Sequence, residues 1–244
     1  MPVNSPIHKT GLFATLGQKA NAIVSADLIG NFIPDQGIAA THWTNQAAVN
    51  ALRRFNGITH NSSSPENFQF DGNNEYLGEA ELGYGGNPFN VAFQNAYTIG
   101  QWVYLPNTWT SGNIHILFYF YEDSSNYVMV QIDAAVVELH SYTSSGNLAN
   151  SSLSPNFSAR TQRNKWVYYT ITHNGSGAYR FFANGTFVGK ASTVAPSATA
   201  KPLTVGRYGS SYTSAGVKVG HIHVYSSALS NSQIRQNYLA IASP

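Results

Sequence analysis

Three features of the 244-residue sequence predict an all-β fold, an antiparallel sandwich with a short C-terminal helix. Apolar and polar residues alternate with period two over many short segments, and Gly-rich or Asn-Gly turns separate those segments. A helical period appears only near the C-terminus. Many short strands followed by one helix are typical of a sandwich. The chain length suits one large domain with an appendage.

The strands are predicted from the alternation, which is clearest in the middle of the chain. Residues 114–121 and 127–133 are typical of half-buried strands. Further strands are predicted at residues 136–143, 166–173, 178–183, 186–190, 202–208 and 217–225. Hairpin turns are predicted at residues 173–177 and at Asn184-Gly185, because Asn-Gly supplies the positive φ of a type I′ turn.

The two ends of the chain differ from this pattern. Residues 1–60 are predicted to form an anchoring arm with one short helix at 45–55, for which Thr44 is the N-cap. This arm has too few large apolar residues to fold alone, so we expect it to pack on the sandwich or on neighbouring proteins. Residues 61–65 are a predicted linker and 66–244 the sandwich, so a chain starting near Pro65 is expected to fold. Ser230 and Gln233 form a predicted capping box ahead of the terminal helix.

Composition restricts the function classes. Cysteine is absent, which excludes disulfides and cysteine-based metal sites. No apolar run has the length of a membrane span, and no apolar leader precedes the first strands.

Residues 1–138 hold all 11 acidic side chains, so the C-terminal part is strongly basic. We expect these charges to match within or between subunits, with a basic face for anionic polymers as the alternative; the basic residues lie singly, unlike those of a specific nucleic-acid reader.

Several motifs follow one another in a characteristic order. They are Phe68-Gln-Phe-Asp-Gly72 with Tyr76-Leu77, Tyr97-Thr-Ile-Gly-Gln-Trp-Val103, Asn164-Lys-Trp166, Asn184-Gly185, Leu203-Thr-Val-Gly206, and Val219–Tyr225 followed by Ala228-Leu229-Ser230 and Ile234. With them, residues 66–239 resemble the laminin G-like, concanavalin A-like lectin/glucanase superfamily. The resemblance implies an antiparallel jelly-roll β-sandwich with Trp102 in its core. It leaves the function open, because this fold carries many functions.

The chain lacks acidic residues at positions where the family often has them. Members of the family often have acidic residues where this chain has Asn174, Gly220 and His221. No cofactor is therefore predicted; Asp71 is a candidate calcium ligand, although Asp-Gly equally suits a turn. His221 and His223 share one side of a predicted strand, and without a third ligand they are interpreted as part of a polar outward face.

Catalytic carboxylates are not evident. A glycosidase of this fold needs two carboxylates about 5–10 Å apart across one groove, typically from an E-x-D-x-x-E strand, which this chain lacks. Asp133 and Glu138 could face each other across a tight turn; otherwise they are solvated acids at strand ends. The sequence therefore predicts that the protein is not an enzyme.

One face of the middle strands is rich in tyrosine. If Ile116, Phe118, Val128, Val130, Val137 and Leu139 face the core, their neighbours emerge on the opposite face. The predicted glycan-binding or interface residues are His115, Tyr119, Tyr121, Tyr127, Gln131, His140 and Tyr142. Tyrosine suits sugar rings because it combines an apolar ring with a polar tip. The alternative is packing against the arm or another subunit.

The predicted function is that of a non-enzymatic virion structural protein. A bacteriophage capsid decoration, fibre or tail component would use its lectin-like domain on host glycans. Expected partners are other virion proteins or copies of the chain, with host surface polysaccharide as a further partner, and the expected location is the virion as an extracellular particle. A secreted carbohydrate-binding module or lectin is the alternative, and a polysaccharide-degrading enzyme the second alternative.

Overall fold

Two antiparallel sheets, one small hairpin and one helix make up the part of the chain that the structure describes. The computed structural model describes residues 22–33, 36, 42–44, 46, 51–56, 58–62, 66–78, 95–110, 112–123, 126–133, 136–142, 149–152, 162–192, 203–208 and 211–241. The elements are β1 (Leu28–Phe32), β2 (His42–Thr44), β3 (Ala51–Phe55), β4 (Thr59–Asn61), β5 (Asn67–Gln69), β6 (Tyr76–Gly78), β7 (Ala96–Leu105), β8 (His115–Asp123), β9 (Asn126–Ile132), β10 (Val137–Tyr142), β11 (Ala149–Ser152), β12 (Lys165–Asn174), β13 (Ala178–Ala183), β14 (Thr186–Ser192), β15 (Leu203–Val205), β16 (Arg207–Tyr208), β17 (Ser211–Tyr212), β18 (Lys218–Tyr225) and α1 (Asn231–Ala240). The predicted all-β sandwich with a C-terminal helix is confirmed.

The strand order shows how the sandwich is closed. The first sheet has the order β14-β13-β12-β7-β18-β5-β4, and β1 pairs with β18 as well. The second sheet has the order β11-β10-β9-β8-β15-β6-β3-β2. Many strands that are neighbours in one sheet are far apart in the sequence. The chain therefore passes repeatedly from one sheet to the other through long connections.

The core lies between the sheets and is strongly apolar. It includes Phe68 and Val103 from the first sheet and Phe118, Val130 and Leu203 from the second, all buried. The polar side chain of Gln101 reaches across it, where Nε2 donates a 2.7 Å hydrogen bond to the carbonyl of Leu117. Because an unpaired carbonyl in a dry core is costly, this bond stabilises the irregular backbone at Leu117.

Trp102 is buried, but on the other side of the first sheet from the predicted position. In β7, Gln101 and Val103 point between the sheets, so Trp102 points outwards. There it is 2% exposed in a second cluster with Tyr168, beneath α1. Its ring centroid lies 5.5 Å from that of Tyr168 and 5.8 Å from that of Tyr238.

Replacing Trp102 with alanine is expected to lower the free energy of unfolding by about 3–5 kcal/mol. The substitution would leave a cavity between β7 and α1 that the surrounding rings fill only in part. Urea unfolding followed by circular dichroism measures the loss. Trp166→Ala is the matched control, because this half-buried tryptophan borders the same cluster and should cost less. Equal losses would contradict the assignment of Trp102 as the cluster's anchor.

The predicted helix at 45–55 is wrong where the structure describes it. Ala51–Phe55 is strand β3, and Thr44, the expected N-cap, ends β2. Strand β3 pairs with β2 and β6 and buries Leu52 completely. Tertiary pairing therefore overrides the helix propensity of alanine, leucine and arginine. Residues 45 and 47–50 of the predicted helix lie outside the described residues.

The boundary predicted at 61–65 is also not a domain boundary. Strand β4 ends at Asn61 and pairs with β5 across this segment, and Asn61 Nδ2 donates a 3.0 Å bond to Asn67 Oδ1. Strands β1 to β4 all belong to the two sheets. The described part of 1–60 is therefore integral to the sandwich rather than a separate anchoring arm. Large apolar residues are few there, but three of them fill the shared core: Phe32, Leu52 and Ile58.

The C-terminal helix begins as predicted. Ser230 caps α1, the backbone N–H of Gln233 donates to the Ser230 side chain, and the backbone N–H of Ser230 donates to Gln233 Oε1. This capping box starts the helix at a fixed position, because it satisfies backbone donors that have no partner within the helix. Leu229 and Ile234 are buried beside Tyr225 of the first sheet.

Candidate functional site

A β-bulge in β8 decides which residues reach the outer face of the second sheet. The register between β8 and β9 shifts between Ile116 and Phe118, so the alternation slips by one residue. His115 consequently points inwards: it is fully buried, its Nδ1 lies 2.9 Å from Thr213 Oγ1, and its ring centroid lies 6.0 Å from that of Phe70. The prediction that His115 lies on the outer face is wrong.

Ile116 is the other residue that the bulge moves. It was expected to face the core, but it packs on the outer side of the sheet with Tyr119 and Met129. Beyond the bulge the predicted alternation holds, with Phe118 in the core and Tyr119 outside. Because of the bulge, Ile116 rather than His115 lies at one end of the outer face.

Strand register brings the remaining predicted residues together. Tyr119 pairs with Met129, and Met129 pairs with His140 on the other side. Gln131 pairs with Glu138 in the adjacent row. Residues paired across neighbouring strands point to the same side of a sheet. The outer face of β8, β9 and β10 therefore presents tyrosine, amide, carboxylate and imidazole groups over a floor of Met129 and Ile116.

Three tyrosine rings form the aromatic part of this face. The Tyr119 ring centroid lies 5.9 Å from that of Tyr127 and 5.0 Å from that of Tyr208, with both pairs edge-on. Tyr208 Oη donates a 3.2 Å hydrogen bond to Tyr127 Oη. Tyr119 is only 7% exposed, whereas Tyr127 and Tyr208 are half-buried. Tyr119 thus supports the two accessible rings instead of forming an open platform, as alternation alone suggests.

Gly206 places Tyr208 on this face. The predicted strand at 202–208 is interrupted there, because Gly206 adopts φ +93°, and β16 then pairs with β17 as a small hairpin. A Cβ at this position would lie 2.4 Å from the ring of buried Phe70, so glycine is required on steric grounds. The chain beyond Gly206 leaves the sheet and lays the Tyr208 ring over Tyr119.

A hydrogen-bonded polar group lies beside the rings. Gln131 Nε2 donates a 3.1 Å bond to Glu138 Oε2, and His140 Nε2 donates a 3.1 Å bond to the same oxygen. All three side chains are half-buried. We call Tyr119, Tyr127, Tyr208, Gln131, Glu138 and His140 the tyrosine face. It combines ring surfaces with donors and an acceptor in fixed positions.

Sequence reasoning predicted four of these six residues and missed Glu138 and Tyr208. Glu138 was interpreted as a strand-end acid, although its position opposite Gln131 follows from the β9–β10 register. The signal for Tyr208 was Gly206, which breaks the strand pattern. The side chains of Tyr121 and Tyr142, also predicted for the site, lie outside the described part of the structure.

The Asp-Gly turn around Asp71 is held by its own hydrogen bonds. Asp71 Oδ1 accepts a 2.8 Å bond from the Asn73 backbone and Oδ2 a 3.0 Å bond from its side chain. These bonds lower the pKa of Asp71, while burial raises that of Glu75 nearby. Among the described residues, no three His, Cys, Asp or Glu side chains are grouped closely enough to hold a metal.

No helix in the described ranges is long and apolar enough to cross a membrane.

Comparison with protein families identifies the fold. The model of a laminin G family described as the concanavalin A-like lectin/glucanases superfamily matches residues 83–235. The chain belongs to this superfamily. The matched range contains β7 to β18 and therefore the whole tyrosine face. A search with the sequence finds no significant match among curated proteins.

Solved structures with the same fold include the binding domains of bacterial toxins. The receptor binding domain of the botulinum neurotoxin C/D mosaic serotype has a TM-score of 0.68 at 16% identity, over 88% of this chain and 51% of that one. The binding domain of Paraclostridial Mosquitocidal Protein 1 has a TM-score of 0.65 at 14% identity, over 87% and 52%. The chain thus spans about half the length of these domains. Identity at this level shows a shared fold alone.

Proposed function

We propose that this chain is a non-enzymatic, lectin-like binding module whose tyrosine face holds a glycan, and that it serves as a structural component of a virion. The observation that carries the glycan role is that the half-buried rings of Tyr127 and Tyr208 share the outer side of the sheet with the hydrogen-bonded Gln131–Glu138–His140 group. Sugars need both features, because their C–H faces pack on rings while their hydroxyls need fixed hydrogen-bond partners. A superfamily fold shared with binding domains supports this role.

Replacing Tyr127 and Tyr208 together with serine is expected to weaken glycan binding about tenfold or more, because both the ring surfaces and the paired hydroxyls are lost. Tyr119 stays unchanged, since it supports the other rings. Affinity gel electrophoresis against soluble polysaccharides measures retention. Tyr104→Ser is the matched control, as it removes a half-buried tyrosine from the first sheet. A double variant that folds and binds like the parent would refute the proposed site.

The same polysaccharides separate the proposed module from an enzyme. A polysaccharide-degrading enzyme would place a second carboxylate opposite Glu138. Within the described part of the chain, the hydrogen bonds to Glu138 come from an amide and an imidazole. If the protein releases reducing ends and Glu138→Gln or Asp133→Asn abolishes this release, the result would favour an enzyme.

The virion role rests on the lectin-like domain and on a cysteine-free composition that needs no oxidative folding. Its partners would be other virion proteins or further copies of the chain. Particle fractionation with antibody labelling in electron microscopy separates this role from that of a secreted carbohydrate-binding module. A virion component sediments with particles and is labelled on them, whereas a secreted module stays in the supernatant.

A further inference from the structure

Glu138 is the acidic residue of the tyrosine face and lies at the Gln131 end of that face. Both of its hydrogen bonds within the described structure end on Oε2, from Gln131 and from His140. Gln131 lies on the neighbouring strand β9, and His140 lies two residues further along β10. Their two bonds hold the carboxylate in one orientation. The side chain is 31% exposed. Among the described residues, no hydrogen bond ends on Oε1, so this oxygen is the one that we expect to accept from a ligand.

An ionised carboxylate only accepts hydrogen bonds. A ligand that uses Oε1 must therefore donate protons, as sugar hydroxyls do. Gln131 and His140 already direct their donors to Oε2, so they do not compete for Oε1. The half-buried rings of Tyr127 and Tyr208 supply the apolar surface for the remainder of a glycan.

The charges around this face disfavour a second negative group. Among the described residues, the ion-pair partner of Glu138 is His140, which is charged only when protonated. Arg207, next to Tyr208 in sequence, lies on the same side of the sheet but across β15 from Tyr119, with its guanidinium 4.8 Å from the ring centroid of Tyr76. A carboxylate or sulfate bound over the tyrosine face would therefore meet the Glu138 charge at short range, which costs about tenfold or more in affinity.

Building on the proposed glycan role, we infer that the tyrosine face selects neutral, hydroxyl-rich sugars and rejects uronic, sialic or sulfated ones, with Glu138 as the residue that sets this specificity. The basic C-terminal half of the sequence suggests the opposite preference, but several of its charges lie on the first sheet. Lys218, for example, lies in the first sheet with its Nζ 5.3 Å from the Tyr104 ring centroid.

Affinity electrophoresis of the full chain tests this with two sets of polymers. The neutral set is mannan, galactan, dextran and xylan; the charged set is polygalacturonate, alginate and dextran sulfate. We expect at least one neutral polymer to bind about tenfold tighter than every charged one. Glu138→Gln should weaken neutral binding about tenfold and strengthen charged binding, because it removes the charge and keeps the shape.

Glu66→Gln is the matched control. Glu66 forms the other described histidine–carboxylate contact, with His60 at 3.4 Å, and its side chain is also 31% exposed. This substitution should leave the binding of both polymer sets unchanged. Tighter binding of a charged polymer by the parent, or equal behaviour of Glu138→Gln and Glu66→Gln, would overturn the inference while leaving the glycan role intact. Absence of binding to every polymer would overturn the glycan role itself.

Discussion

A chain that starts at Pro65 is expected to aggregate or remain unfolded, contrary to the expectation from sequence alone. The truncation removes β1, which covers part of one edge of β18, and β3, which pairs with β6. It also removes Phe32, Leu52 and Ile58, all of which are fully buried in the core. Losing one large apolar core side chain costs about 2–5 kcal/mol, so losing three costs about as much as the whole stability of a typical domain.

Soluble expression, circular dichroism and urea unfolding measure this effect. A chain that starts at Ala22 is the control, because it retains every strand that the structure describes. We expect this control to unfold in one cooperative transition. A soluble, cooperatively unfolding chain from Pro65 would show that the first four strands add nothing essential.

Acid is expected to unfold the protein between about pH 6 and pH 3, through histidines that the fold holds neutral. Burial lowers the pKa of His115 to about 3, and it does the same for His223, with a smaller contribution from His221. The unfolded chain has ordinary histidines with a pKa near 6.5. Below that pH the unfolded state binds protons that the folded state cannot bind. Stability is therefore unaffected above about pH 6.5 and falls as the pH approaches 3.

The expected slope is about 1.4 kcal/mol per pH unit for each histidine, and hence about 3 kcal/mol for both. Urea unfolding from pH 7.5 to 4.5 measures it. His115→Met should lower the slope by about 1.4 kcal/mol per pH unit, because the unfolded state then takes up one proton fewer. Ile222→Val, beside His223, is the control that changes core packing without removing a titrating group. A His115→Met slope equal to that of the control would contradict this mechanism.

These buried histidines also show how far a strand pattern can mislead. His221 and His223 were interpreted as an outward polar pair, but His223 is buried, with its Nδ1 3.4 Å from Tyr168 Oη. Helix α1 and residues before β1 cover much of that side of the first sheet. A sheet face that looks exposed from alternation is therefore internal wherever another element packs on it.

The features that the sequence alone determined depend on residues a few positions apart. Strand β13 has the bounds predicted from alternation, the turn at Asn184-Gly185 forms with positive φ at both residues, and the Ser230 capping box starts α1. The ordered motifs likewise identified the superfamily. Each of these signals is set by local backbone preference, so distant parts of the chain do not change it.

Only the tertiary structure decided which of these strands share a face and what lies on it. The bulge at Leu117 turns His115 inwards, and it is held by Gln101 from the opposite sheet. Tyr208 reaches Tyr119 because the chain turns at Gly206. A Cβ at that position would collide with the ring of Phe70, which is more than a hundred residues away in the chain. Strand register and bulges depend on contacts between distant segments, and a single-residue slip exchanges the two faces of a strand.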